Sequence, residues 1–135
     1  MKQFIIAFCC IVVFSSCAEQ IVDNPPPNSY ELKQNFPNPF SDSTTIKYSV
    51  PQVPSGKGPH LKLVVYDRFN RRQVTLMDVV NHNAGTDYSV VWNGNGVNGF
   101  KVPTGIYYIL LMQGTNSLLE YDETEVLLRI AAFKK

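Results

Sequence analysis

Residues 88–112 read YSVVWNGNGVNGFKVPTGIYYILLM, two stretches of period-two patterning on either side of a loop rich in glycine and asparagine. In the first, Tyr88, Val90 and Trp92 alternate with Ser89 and Val91. In the second, from Ile106 to Met112, Tyr107, Ile109 and Leu111 alternate with Tyr108, Leu110 and Met112. Residues two apart share a face of a strand, so this spacing predicts β structure interrupted by a turn. The same rhythm extends outward. Ile46, Tyr48 and Val50 alternate with Thr45, Lys47 and Ser49, and Leu61, Leu63 and Val65 alternate with Lys62 and Val64. Weaker strands are predicted at Gln73–Val79, Gly105–Gln113 and Thr124–Ala132. The intervening stretches 51–59, 81–85, 93–99 and 114–117 are rich in Gly, Pro, Asn and Ser, whose backbone preferences favour turns. Beyond residue 30 there is no helical stripe of ten residues. The chain reads as all-β, and short strands in this number suit a sandwich.

The N-terminus has a different character. Lys2 supplies a positive charge, Phe4–Phe14 is an uncharged apolar run, and Ser15-Ser16-Cys17 closes it with small residues before a thiol. A spanning helix needs about twenty apolar residues, and the polar run from Glu19 to Pro27 comes too soon to supply them. Residues 1–16 therefore read as a removable secretory signal. Ser15-Ser16-Cys17 resembles the lipobox of bacterial lipoproteins, although Phe14 stands where that family usually has Leu. The resemblance implies that Cys17 is lipidated and becomes the acylated first residue, with an ordinary signal-peptidase site nearby as the alternative. Cys9 and Cys10 fall within the discarded segment, so Cys17 has no intramolecular disulfide partner in the mature chain. Acylation would make the lipid bilayer its first partner, because several acyl chains hold a protein far more firmly than one. Residues 17–29, the Cys followed by a Pro-rich polar run, read as an extended tether. At about 3.1 Å per residue it could hold the domain up to roughly 40 Å from the bilayer.

Residues 30–135 are left as one modest domain. Twelve Lys and Arg against eleven Asp and Glu give a formal charge of +1. With no basic stripe, nucleic acid has no electrostatic foothold.

Three runs carry a more specific likeness: LKQNFPNPFSDSTTIKYSVP, LKLVVYDRFNRRQVTLMD, and, after the Gly85 turn, SVVWNGNGVNGFKVPTGIYYILL. Together they resemble the immunoglobulin-like domain related to the flagellar hook-capping protein FlgD, a pattern also found in the C-terminal sorting domains of type IX secretion cargo. The resemblance covers about Glu31 to Lys135. It implies an immunoglobulin-like (FlgD-like) seven-stranded antiparallel β-sandwich in which Pro37-Asn38-Pro39-Phe40 turns the chain from a first edge strand into the second. It also implies that Tyr66-Asp67 ends the third strand. Asn70-Arg71 stands where the family has Gly-Arg, the exchange expected if that turn needs positive φ. Trp92-Asn93-Gly94 takes the place of Trp-Asp-Gly, and Gly99, Gly105 and Tyr107 match later family positions.

Tests for chemistry find little. His60 and His82 lie in predicted turns, and no pattern pairs either with a nucleophile and an orienting carboxylate. Asp67 and Asp87 have no further signature of a glycosidase pair. NGNGVNG offers amide and backbone carbonyls where calcium prefers several carboxylates, so it reads as a turn with left-handed residues. Tyr121–Glu125 is an acidic cluster, read chiefly as a solvated loop. Exposed aromatics such as Tyr30 or Phe100 could stack on sugars, but no distinctive spacing supports that. The chain is expected to be no enzyme and to need no metal or cofactor.

One feature points to a protein partner. Tyr108, Leu110 and Met112 are apolar on the face opposite the predicted core, and so are Val64 and Tyr66 on the neighbouring third strand. The expectation is that Val64, Tyr66, Tyr108, Leu110 and Met112 form a contiguous exposed docking patch. The alternative is that the last connection or the proline tether covers it. Two functional readings follow. The first is a cell-envelope lipoprotein, outer-membrane and facing the periplasm or the surface, whose sandwich is a non-catalytic structural or protein-interaction module. The second is a type IX sorting domain directing secretion or surface attachment, for which LLRIAAFKK supplies the terminal apolar strand and basic tail. The short tether leaves no upstream cargo body in the given sequence, which argues for the first.

Overall fold

The alternating stretches become strands that turn their larger apolar side chains toward one another. The structure, a computed structural model, describes residues 25–54, 56–114 and 124–135. The predicted signal, Cys17 and the first part of the tether lie outside the described residues, as does most of the acidic cluster. The described residues form seven strands: β1 (Glu31–Leu32), β2 (Thr44–Val50), β3 (His60–Asp67), β4 (Arg72–Val79), β5 (Gly85–Trp92), β6 (Gly105–Gly114) and β7 (Thr124–Lys134). They form an antiparallel sandwich with one sheet ordered β1-β2-β5 and the other β4-β3-β6-β7.

The core is built from the predicted inward sets. Ile46, Tyr48 and Val50 of β2 face Leu61, Leu63 and Val65 of β3 and Tyr107, Ile109 and Leu111 of β6, all buried. Trp92 fills the centre. Its ring lies 5.1 Å from that of Phe40 and 5.5 Å from that of Tyr107, in tilted and edge-on geometries, and its indole N–H donates to the Asn95 carbonyl at 2.9 Å. Tilted and edge-on ring pairs at this spacing add to the area that each ring buries.

The proline corner ties the two sheets together. Phe36 bridges to Thr45 in the first sheet, and Phe40 bridges to Lys134 in the second. The Phe40 N–H donates to the Phe133 carbonyl at 2.9 Å, and the Lys135 N–H donates to the Phe40 carbonyl at 2.8 Å. The Phe36-Pro37 and Asn38-Pro39 bonds are both cis. The polar groups of this bend are satisfied internally, as burial requires. Buried Asn35 donates to Thr44 Oγ1 at 2.9 Å, and the Thr44 hydroxyl donates to the Pro37 carbonyl at 2.8 Å. Asn38 Oδ1 accepts from the Phe133 N–H at 2.8 Å, while Gln34 donates to the Ala131 carbonyl at 2.7 Å. These bonds occupy outward-facing groups on the C-terminal half of β7, an edge strand.

The β3–β4 turn closes around Asp67. Its Oδ1 accepts from the backbone N–H groups of Phe69 and Arg71, both at 2.9 Å, and its Oδ2 accepts from Arg71 Nε at 2.7 Å. Asn70 takes φ 61°, the left-handed conformation expected of this turn from the sequence. Desolvation pushes the Asp67 carboxyl up, but the Arg71 N–H, the Arg71 guanidinium and the Phe69 N–H together outweigh it, and the group lies below the ordinary carboxylate range.

The opposite end of the core is closed by an aromatic cluster. Tyr48 stacks on Tyr88 at 5.4 Å, and the buried His82 ring meets Tyr88 edge-on at 4.6 Å. His82 Nδ1 lies 2.8 Å from the Asn83 carbonyl, which can only accept, so Nδ1 donates, and Nε2 lies 2.8 Å from the Tyr48 hydroxyl. Gly58 is required here, because a Cβ on it would fall 2.0 Å from the His82 carbonyl oxygen.

Two tests follow. Trp92→Ala should lower the unfolding free energy by about 3–5 kcal/mol in urea denaturation, as expected for a buried ring whose cavity cannot fully collapse. Asp67 stabilises the fold above its unfolded pKa, and that contribution is lost as pH falls through its depressed folded value. Asp67→Asn should therefore be less stable than the parent at neutral pH, and the gap between the two urea midpoints should narrow below about pH 4.

Candidate functional site

The outer face of the four-stranded sheet is the candidate, and register decides what stands on it. Directly opposite residues of an antiparallel pair point the same way. Val64 lies opposite Leu110, Tyr66 opposite Tyr108, and Lys62 opposite Met112. The five residues expected to form a patch are indeed brought together: Val64, Leu110 and Met112 make one apolar cluster with Tyr66 and Tyr108 packed against it.

Their exposure differs from the expectation. Val64, Leu110 and Met112 are buried, at 3%, 8% and 7% of full exposure, and the two tyrosines are half-buried. Long side chains of the same face account for part of the cover. The Arg129 guanidinium lies 5.1 Å from the centre of the Tyr108 ring, and Arg129 stands opposite Leu110 in β7. Such stems shield apolar surface while their charged heads stay in water. On the other flank, Lys62, Arg72, Thr75 and Asp78 surround a small hollow beside Val64 and Met112. The β6–β7 connection and the tether, the two expected alternatives for covering this face, fall wholly or largely outside the described residues.

The accessible apolar surface lies at the ends of the cluster. Ile106 and Phe133, opposite each other, are 42% and 43% exposed, and Val126, opposite Met112, is 48% exposed. Period-two reasoning misses Val126 because a register break between Leu111 and Met112 sets Leu128 and then Val126 opposite consecutive β6 residues, whereas Phe133 lies one residue beyond the predicted end of the last strand. An extra residue of this kind switches the face of everything beyond it. Val126 and Arg129 therefore share a face although they are three apart.

The remaining candidates resolve into structural roles. Asp67 is held by Arg71, whereas Asp87, on a strand of the other sheet, accepts from Lys33 at 2.6 Å. The Lys33 hydrogen bond and charge hold the Asp87 carboxyl below its usual range, and the same bond raises the Lys33 ammonium. Both partners are about half exposed, where ion pairs contribute little. His60 opens β3 and meets Asp78 at 2.5 Å, not a turn position as expected. In the 93–99 loop Gly94 and Gly99 take φ 73° and 75°, matching the reading of a turn with left-handed residues. Among the described residues, no group of three His, Cys, Asp or Glu is placed to hold a metal ion.

Leu110→Ala should cost about 2–3 kcal/mol in urea unfolding, as a buried position does, whereas Ile106→Ser and Phe133→Ser should each cost less than about 1 kcal/mol. Equal costs at all three positions would contradict the division into a buried centre and an accessible rim.

No protein-family model matches the chain, and no curated protein matches it. Among solved structures it is similar to the crystal structure of dimeric latent PorU from Porphyromonas gingivalis, with a TM-score of 0.59 at 19% identity over 84% of this chain. The likeness is one of fold. The chain spans about a tenth of that protein's length, 10% of it being covered.

Proposed function

We propose that the protein is a membrane-anchored lipoprotein of the bacterial cell envelope, held by acylated Cys17, whose β-sandwich is a non-catalytic structural or protein-interaction module. The observation that carries this reading is the sequence Ser15-Ser16-Cys17 after a short apolar run, followed by prolines and then by a sandwich. Such an arrangement gives each segment its own role. The acyl chains anchor, the tether stands the domain off the surface, and the sandwich presents its faces. The accessible rim of Ile106, Phe133 and Val126 around the buried cluster is the part of the outer sheet face that a partner could reach.

A second reading, a type IX sorting domain, is favoured by the end of the chain. LLRIAAFKK forms most of β7, the longest strand, with Ile130 and Ala132 packed in the core and the terminus paired to Phe40. A sandwich that fits one tenth of a much larger protein is also a unit that can be carried by other chains.

Intact mass and membrane fractionation of the natively expressed protein, beside Cys17→Ala, test the first reading. The expected result is a mature chain beginning at Cys17 with added acyl mass, and loss of the variant from membranes. A soluble, unacylated product with another N-terminus would overturn it and make export by the type IX machinery the next measurement.

A further inference from the structure

The end of the sandwich formed by the β3–β4 turn and the 96–103 segment gathers cations and exposed rings around open hollows. Two adjoining hollows, about 370 and 430 Å³, meet there and have Arg71, Gln73 and Pro103 in common. Arg68, Arg71, Arg72 and Lys101 line them, against a single carboxylate, Asp67, which is already bonded to Arg71. Exposed rings stand among the cations: Phe69 is 64% and Phe100 79% exposed, and both the Arg68 and Arg71 guanidinia lie over the Phe69 ring, at 4.7 and 5.2 Å.

The frame holding these groups is fixed. Asp67 accepts three bonds from its own turn, and the Val97 N–H ties the second segment to the Gln73 carbonyl at 2.6 Å. Preformed surfaces of this kind spare a ligand the cost of ordering them.

We propose that this end is a docking site for an acidic peptide segment of a partner protein, one in which carboxylates alternate with apolar side chains. The positive excess selects carboxylates, for which Arg offers paired donors. The exposed rings and the open, two-lobed shape suit an extended segment better than one small anion. Topology places the site at the end of the sandwich remote from where the chain enters. The chain enters at the other end, where Glu31 pairs with Ser49 near the finish of β2 and the Tyr30 hydroxyl reaches Gln113 near the finish of β6. β3 then runs back to Asp67, a span on the order of 25 Å. The choice of a protein over the anionic lipid surface rests on the anchored reading given above, but the peptide measurement does not depend on it.

The test uses the full chain in detergent and a fluorescently labelled peptide of alternating Glu and Leu, beside the same peptide with every Glu replaced by Gln. Saturable binding at low ionic strength is expected, at least tenfold tighter for the Glu peptide and weakened severalfold by about 0.2 M salt. Arg68→Glu combined with Arg72→Glu should reduce it at least tenfold while the variant keeps a cooperative urea transition, since both side chains are exposed. Lys47→Glu, on the other sheet, should leave it unchanged. Equal binding of the two peptides, or full binding by the double variant, would overturn the proposal. So would binding of anionic vesicles through these arginines without peptide binding, or self-association through them that the peptide does not displace.

Discussion

The pairing of Phe40 with the last residues of β7 is the constraint on which the rest of the sandwich depends. Two backbone hydrogen bonds join the chain just after the proline corner to its own C-terminal strand, while the Phe40 ring packs on Trp92. A three-stranded and a four-stranded sheet packed face to face are held mainly by non-directional burial, which fixes their separation better than their alignment. The corner adds direction. Phe36 is committed to one sheet and Phe40 to the other, so the residues between them set how the sheets meet. The corner also occupies outward groups of β7 that would otherwise be open to pairing with another chain.

Much of this is legible as periodicity. The alternating sets in β2, β3, β5 and β6 face the core as their spacing predicts, and the turn with Asn70 takes the positive φ that its place in the pattern calls for. What is not legible depends on partners distant in sequence. Asn35 looks like one polar residue among several, and only the fold buries it against Thr44. His82 reads as a turn residue with nothing to meet, yet it closes the core against Tyr48, 34 positions away. The register break beside Met112 has no signature in the alternating run around it, so the outward residues of β7 cannot be assigned from spacing.

The candidate patch shows the same division. Its five members are neighbours as expected, because two strands adjacent in a sheet and each apolar on both sides must place those residues together. Exposure is another matter: it depends on how long side chains of flanking strands lie across the face, and period-two reasoning contains nothing about that. Arg129 over Tyr108 belongs to a strand whose phase the sequence does not reveal. The burial of Val64, Leu110 and Met112 therefore makes the centre of this sheet a second, smaller core, and moves whatever the face can recognise to its rim.

That shift bears on which surfaces of the sandwich are open. A partner approaching the flat sheet finds scattered apolar residues around a covered centre, each worth little by itself. At the end remote from Tyr30 it finds cations and rings on turns whose conformation is already set, by Asp67 on one side and by the left-handed glycines on the other. These turns also brace the core, since Asn95 accepts from the Trp92 indole and Val97 bonds to Gln73, but their exposed side chains, Arg68, Phe69 and Phe100, can differ at little cost to it. The core, by contrast, tolerates little change at Trp92, Phe40 or Tyr107, whose rings meet where both sheets and the corner converge. In this architecture the corner and the rings keep the sandwich closed, and the end farthest from where the chain enters carries cations and exposed rings on turns that are already set.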